Sequence, residues 1–130
     1  MLKGDCYEIA GRIAINGNLK NYPTRNDDGR IVYLEENEYI GTPYLIQAQV
    51  EGQGQLEGVN FGHSWIEDDI YVYDFSNGRN LMIIKQFYYY VGQIQQKKSL
   101  YYKYTFKKAR IWMLKDETFG PWQLETESGL

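Results

Sequence analysis

The chain holds one cysteine, Cys6, and one histidine, His63, and a carboxylate, Asp74, shares the stretch GHSWIEDDIYVYDFS with that histidine. A thiol is a strong nucleophile as its thiolate, and an imidazole beside it can take the proton and return it. A carboxylate on the far side of the ring fixes the tautomer and steadies the imidazolium. Three such groups brought together can attack an amide or ester carbonyl.

Two elements must place them. The first is a hairpin. If Asp68 and Asp69 form its turn, Ile66 lies opposite Tyr71, Trp65 opposite Val72, Ser64 opposite Tyr73 and His63 opposite Asp74. Directly opposed residues share a face, with Cβ atoms about 4.5–5.5 Å apart. That spacing lets Asp74 accept a hydrogen bond from Nδ1 of His63 and leaves Nε2 free toward the thiol. A loop of odd length would spoil the alignment.

The second element is a helix over residues 5–16, with Asp5 as N-cap and Glu8 completing a capping box. Ile9, Ala10, Ile13 and Ala14 form its apolar stripe, and Gly17 is placed to end it in the left-handed conformation. Gly11 weakens the helix or allows close packing against a sheet. Cys6 falls in the first turn, where backbone amides and the macrodipole favour an anion, although Asp5 and Glu8 oppose this. The N–H of Cys6 can supply half of an oxyanion hole, with Gln47 or Gln49 as candidates for the other donor.

Around these, residues 18–30 read as a polar loop and 31–34 as a weak strand or short helix. Residues 42–52 read as a strand, with Tyr44, Ile46, Ala48 and Val50 on one face and Leu45, Gln47 and Gln49 on the other. SNGRN, 76–80, is a turn; 83–94 is a short helix; 99–106 is a strand. Thr105 caps a helix over 107–117, which GPW at 120–122 ends. The order predicts a single α+β domain over 1–130, its N-terminal helix packed on a mostly antiparallel sheet.

A net charge of −3 argues against a dominant nucleic-acid or membrane role. Lys97, Lys98, Lys103, Lys107, Lys108 and Arg110, interleaved with tyrosines, form the one stretch that would suit an anionic partner. One cysteine makes no internal disulfide, the opening MLKGDCYEIA has no leader pattern, and no apolar run approaches the ~18 residues of a membrane span. These features suggest a cytoplasmic protein with a reduced thiol and no segment to remove ahead of Cys6. A lone histidine without CxxC or HxxxH spacing argues against a metal site, and no cofactor is called for. Glu67, Asp68 and Asp69 read as a solvated turn. Trp65, on the His63 face, either walls a substrate pocket or fills core. GQGQLEG lacks the pattern of a phosphate loop.

The order of Cys6 in GDCYEIA, then His63 in HSWIE, then Asp74 in VYDFS, with the closing GPW, resembles the papain-like fold in its transglutaminase-like and NlpC-like branches, and in particular small bacterial and phage proteins of that type. The resemblance covers about half the chain and implies a papain-like core, with Cys6 as nucleophile, His63 as base and Asp74 as orienting acid. The chain is short for a papain-like protease and shows no second lobe or substrate motif. The expected function is acyl transfer: peptide or isopeptide hydrolysis, deamidation or amine transfer on a protein or peptide substrate. The alternative is a non-enzymatic binding protein on the same scaffold, such as a phage-encoded effector of a host factor.

Overall fold

The computed structural model describes residues 4–25, 29–34 and 38–125; residues 26–28 of the expected polar loop lie outside it. In chain order the elements are α1 (Cys6–Asn16), β1 (Pro23–Arg25), β2 (Ile31–Tyr33), β3 (Tyr44–Glu51), β4 (Asn60–Glu67), β5 (Tyr71–Asp74), β6 (Leu81–Ile84), α2 (Lys85–Val91), β7 (Tyr101–Thr105) and α3 (Phe106–Asp116). Short 3₁₀ turns at Gly54–Leu56 and Ser76–Gly78 lead into β4 and β6.

Helix α1 buries Ala10, Ile13 and Ala14, the expected stripe, and Gly17 ends it at φ 82°. The capping box does not form. The Asp5 carboxylate makes no capping bond to its own helix and instead accepts from the Asn77 N–H at 2.7 Å, while Glu8 pairs with Arg12 at 2.8 Å. Gly11 is needed because a Cβ there would run into the ring of Phe119, so the close approach is to the C-terminal segment rather than to the sheet.

Five antiparallel strands in the order β6-β5-β4-β3-β7 make the sheet, and the β1–β2 hairpin extends it beyond β6 through a parallel pairing of Arg25 with Leu81. The fold is α+β. Two stretches differ from expectation: residues 23–25 are a strand inside the polar loop, and residues 81–84 are a strand that shortens the helix expected at 83–94. Both strands are only three and four residues long, too short for an alternating pattern to show in the sequence.

Alternation along β3 sorts the two layers as expected. Leu45 joins Ile66, Tyr73 and Tyr104 against α1 and α3. Ile46, Ala48 and Val50 join Trp65 and Val72 on the opposite face, under Tyr88 and Tyr89 of α2. Thr105 caps α3, its hydroxyl accepting from the Lys108 N–H at 3.1 Å.

The β4–β5 hairpin closes in a different register. Ile66 pairs with Tyr73 and Glu67 with Val72, two residues out from the expected partners. The loop is longer because Asp68 organises it from within. Its carboxylate accepts from the N–H groups of Ile40, Ile70 and Tyr71 and from the Tyr73 hydroxyl, at 2.7–3.0 Å. Glu67 is buried as well, accepting from the Trp65 indole at 3.0 Å and the Tyr89 hydroxyl at 2.6 Å, with Lys85 at 3.6 Å. Glu67 and Asp68 are therefore internal anchors and not solvated turn residues; of the three acidic residues, Asp69 alone is exposed.

Asp68→Ala would strand four donors. It is expected to destabilise the protein by about 3–5 kcal/mol, as loss of a buried, hydrogen-bonded charge does. Asp69→Ala, next along the chain, should stay within ~0.5 kcal/mol of the parent. Urea unfolding of the two variants checks the contrast.

Candidate functional site

His63 sits on β4, the strand buried on both faces from Gly62 to Glu67. The ladder to β5 runs through Glu67–Val72 and Ile66–Tyr73. Continued one step, that register would set Trp65 opposite Asp74, so His63 and Asp74 are diagonal neighbours rather than direct partners. A shift of two keeps both side chains on one face, and a diagonal gap of about 7–8 Å is within reach of an imidazole and a carboxylate. Beyond Tyr73 the chain leaves the ladder for the 3₁₀ turn at Ser76. The first turn of α1 approaches there, and a small pocket brings together Cys6, Ser64, Trp65, Asp74 and Ser76.

The ring and the carboxylate meet at 2.9 Å, Nε2 of His63 to Oδ2 of Asp74. The nitrogens are thus exchanged relative to the sequence reading: Nε2 faces the carboxylate, and Nδ1 is buried without a hydrogen-bond partner. The diagonal placement brings the far ring nitrogen to the acid. Asp74 is fully engaged. Oδ2 also accepts from the Tyr88 hydroxyl at 2.9 Å, and Oδ1 accepts from the N–H and hydroxyl of Ser76 at 3.0 and 2.6 Å. The guanidinium of Arg79 stands 4.0 Å from Oδ2 and donates to the Ser76 hydroxyl at 3.0 Å. Sequence reasoning missed Ser76, Tyr88 and Arg79. The Asp-x-Ser spacing was a usable signal for the first, since such pairs close local turns. Nothing local points to Tyr88, which arrives from α2.

Burial works against a charged His63, but the charge and hydrogen bond of Asp74, helped by Cys6, outweigh it and push the ring up to about 10. Burial would likewise raise Asp74; the charge and hydrogen bond of His63 and the two bonds from Ser76 instead hold it well below the usual carboxylate range. The pair is an imidazolium facing a carboxylate at neutral pH. Burial and the adjacent carboxylate keep the Tyr88 hydroxyl protonated, so it remains a donor.

A cavity of about 670 Å³ opens on the α2 side of the sheet, and His63, Asp74, Arg79 and Tyr88 line it. Cys6 is 1% exposed and does not line it, although Gly4, two residues earlier, does. His63 and Asp74 are 4% and 3% exposed. The ion pair therefore stands between a buried thiol and an accessible cavity.

The other expected site residues lie elsewhere. Gln47 and Gln49 are on the opposite face of β3 from the residues that flank His63, paired with Ser64 and Gly62. The Gln47 amide is committed to the C-terminal segment, donating to the Phe119 carbonyl at 3.3 Å and accepting from the Trp122 N–H at 3.2 Å. It anchors the GPW stretch, on the face of the sheet away from His63. Trp65 is core: 1% exposed, its ring 6.0 Å from that of His63 and 5.1 Å from that of Tyr88. Among the basic residues, Lys103 lies over the Tyr44 ring at 4.1 Å and Arg110 donates to the Ala14 carbonyl at 2.8 Å. Among the described residues no group of His, Cys, Asp and Glu is arranged to hold a metal, and no helix is long and apolar enough to cross a membrane.

No protein-family model matches the chain, and neither a curated protein nor a solved structure matches it. The resemblance to papain-like proteins thus rests on the sequence alone, on the order of Cys6, His63 and Asp74 and the closing GPW.

The shifts of the ion pair set a pH dependence. His63 is raised in the fold, so its contribution is complete below its ordinary value of 6.5 and is lost as pH rises toward about 10. Asp74 is depressed, so its contribution is present above 3.8 and is lost as pH falls below that. The stability gap between the parent and His63→Gln, read from urea midpoints, is expected to be widest between these two ordinary values and to narrow steadily toward alkaline pH.

Proposed function

We propose that the chain is a cysteine-dependent acyl-transfer enzyme of the cytoplasm built on a papain-like core. The observation that carries this reading is the buried imidazolium of His63. Asp74 orients it through Nε2, its Nδ1 is unpartnered, and the thiol of Cys6 acts on its charge from the first turn of α1. In the reaction, the proton on Nδ1 is the one the thiol has given up, and Sγ attacks the carbonyl carbon from that thiolate–imidazolium pair. The bond to the leaving amine or alcohol breaks as His63 returns the proton to it. Water or an amine then resolves the thioester and restores the thiol. Hydrolysis, deamidation and amine transfer share these steps.

Access to Sγ requires the segment ahead of α1 to move. Of the described residues there, Asp5 is exposed and its carboxylate accepts from the Asn77 N–H at 2.7 Å. A second reading has its own support: the thiol is buried and off the cavity wall. On that reading the chain is a binding protein, with the three residues serving as structure.

Alkylation by iodoacetamide separates the two. For the enzyme, Cys6 is modified in the folded protein at neutral pH, and His63→Ala slows that modification by about tenfold or more, since the thiolate is the reacting species. Mass spectrometry of the intact chain follows the reaction, and circular dichroism confirms that it stays folded. A thiol that reacts only as the chain unfolds sinks the enzyme reading and leaves the binding protein.

A further inference from the structure

The cavity has features that the acyl-transfer chemistry alone does not require. Its volume, about 670 Å³, lies in the range of small-molecule sites, ~300–1,000 Å³. Its walls are chiefly apolar: Val50 and Phe61 from the paired ends of β3 and β4, Ile83 from β6, and Phe87 and Val91 from α2, with Leu56 of the 3₁₀ turn beside them. Such walls favour an apolar occupant over water. Glu51 also borders it, but strand alternation turns its side chain to the other face from Val50.

One end differs. There the imidazolium of His63 and the guanidinium of Arg79 flank the single carboxylate of Asp74, itself already engaged by four donors. Two cations against one anion leave that end positive, which suits the oxygen of a carbonyl or carboxylate. The side chain of Arg79 is half-exposed, so its guanidinium has donors to offer a ligand.

A peptide would be recognised differently. Extended peptides commonly add their backbone to an open strand edge. Here the strands that wall the cavity, β3 to β6, are all interior to the sheet, and its edges are β2 and β7. The cavity offers side-chain walls and a polar end, and no ladder.

We infer that this cavity seats the apolar acyl chain of the substrate, with the carbonyl head at the His63–Arg79 end. The inference rests on the acyl-transfer reading and gives that reading a substrate class: esters or thioesters of medium-length acyl groups. Cys6 does not line the cavity, so transfer follows a shift of Gly4 and Asp5 that opens Sγ to it; the acyl carbon then moves onto Sγ as its bond to the alcohol or thiol breaks. The leaving group departs with the proton held by His63, and water then releases the free acid and restores Cys6.

The full chain would be titrated with decanoate by calorimetry and assayed on 4-nitrophenyl decanoate and 4-nitrophenyl acetate. Decanoate should bind, and kcat/KM should favour the decanoyl ester. Phe87→Asp and Leu56→Asp each place a charge on the apolar wall. Each should weaken decanoate binding and cut the decanoyl-over-acetyl preference by about tenfold or more. Phe87 is half-exposed and Leu56 part-exposed, so both variants are expected to fold, which thermal unfolding would verify. Cys6→Ala should keep decanoate binding and lose ester turnover. Absence of decanoate binding, or equal handling of the two esters through Cys6, overturns the pocket assignment while leaving acyl transfer in place. Decanoate binding that both wall variants weaken, with no turnover dependent on Cys6, upholds the pocket and overturns acyl transfer.

Discussion

A carboxylate and an imidazolium buried side by side are the constraint around which this fold is arranged. Removing charges from water costs several kcal/mol per ion unless each is paired and its remaining hydrogen-bonding capacity is filled. For Asp74 that filling comes from four donors on three elements: His63 on β4, Ser76 in the 3₁₀ turn and Tyr88 on α2. β5 must therefore stop at Asp74, the chain must turn at once to present Ser76, and α2 must cross the sheet with Tyr88 facing inward. One satisfied carboxylate thus ties together the end of β5, the 3₁₀ turn and α2.

A second buried carboxylate sets the other end of the same hairpin. Asp68 gathers N–H groups from Ile40, Ile70 and Tyr71 and the hydroxyl of Tyr73, and so fixes the loop length and the strand register. The register determines where Asp74 falls relative to His63. The two sites are thus coupled through the five residues between Asp68 and Asp74: a looser loop would slide β5 along β4 and pull the carboxylate from the ring. Tyr73 makes the link direct, its hydroxyl serving Asp68 and its ring packing in the core beneath α1.

What the sequence made legible follows the range of the interactions involved. The stripe of α1, its end at Gly17, the faces of β3 and the Thr105 cap depend on residues within a few positions of each other, and all were readable. The hairpin partners were misread by two because Asp68, read as a solvated turn residue, is buried and organises a longer loop, with one of its four donors, Ile40, 28 residues away. The error was even, so the faces survived and His63 still met Asp74; an odd error would have separated them. The exchange of ring nitrogens comes from the same slip, since a diagonal partner presents itself to the other end of the imidazole. The role of Gln47 was beyond local reading, because its partners Phe119 and Trp122 lie more than seventy residues away. The capping box at Asp5 and Glu8 matched a local pattern that lost to a tertiary partner, Asn77.

Buried ion pairs are weak evidence of stability, because well-packed apolar residues of similar volume often serve as well or better. The position of this pair therefore matters more than its existence. A pair serving only to join β4 to β5 could sit anywhere along the hairpin, and the Glu67–Lys85 contact already ties that end of the sheet together. Asp74 and His63 instead lie where the ladder ends, with the thiol of Cys6 on one side and an apolar cavity on the other. One ring nitrogen is held by the acid, and the other is buried without a hydrogen bond. The Cys6 thiol bears on the same ring and favours its charged form. On the proposed acyl-transfer reading, the unbonded nitrogen carries the proton the thiol gives up and hands it to what leaves.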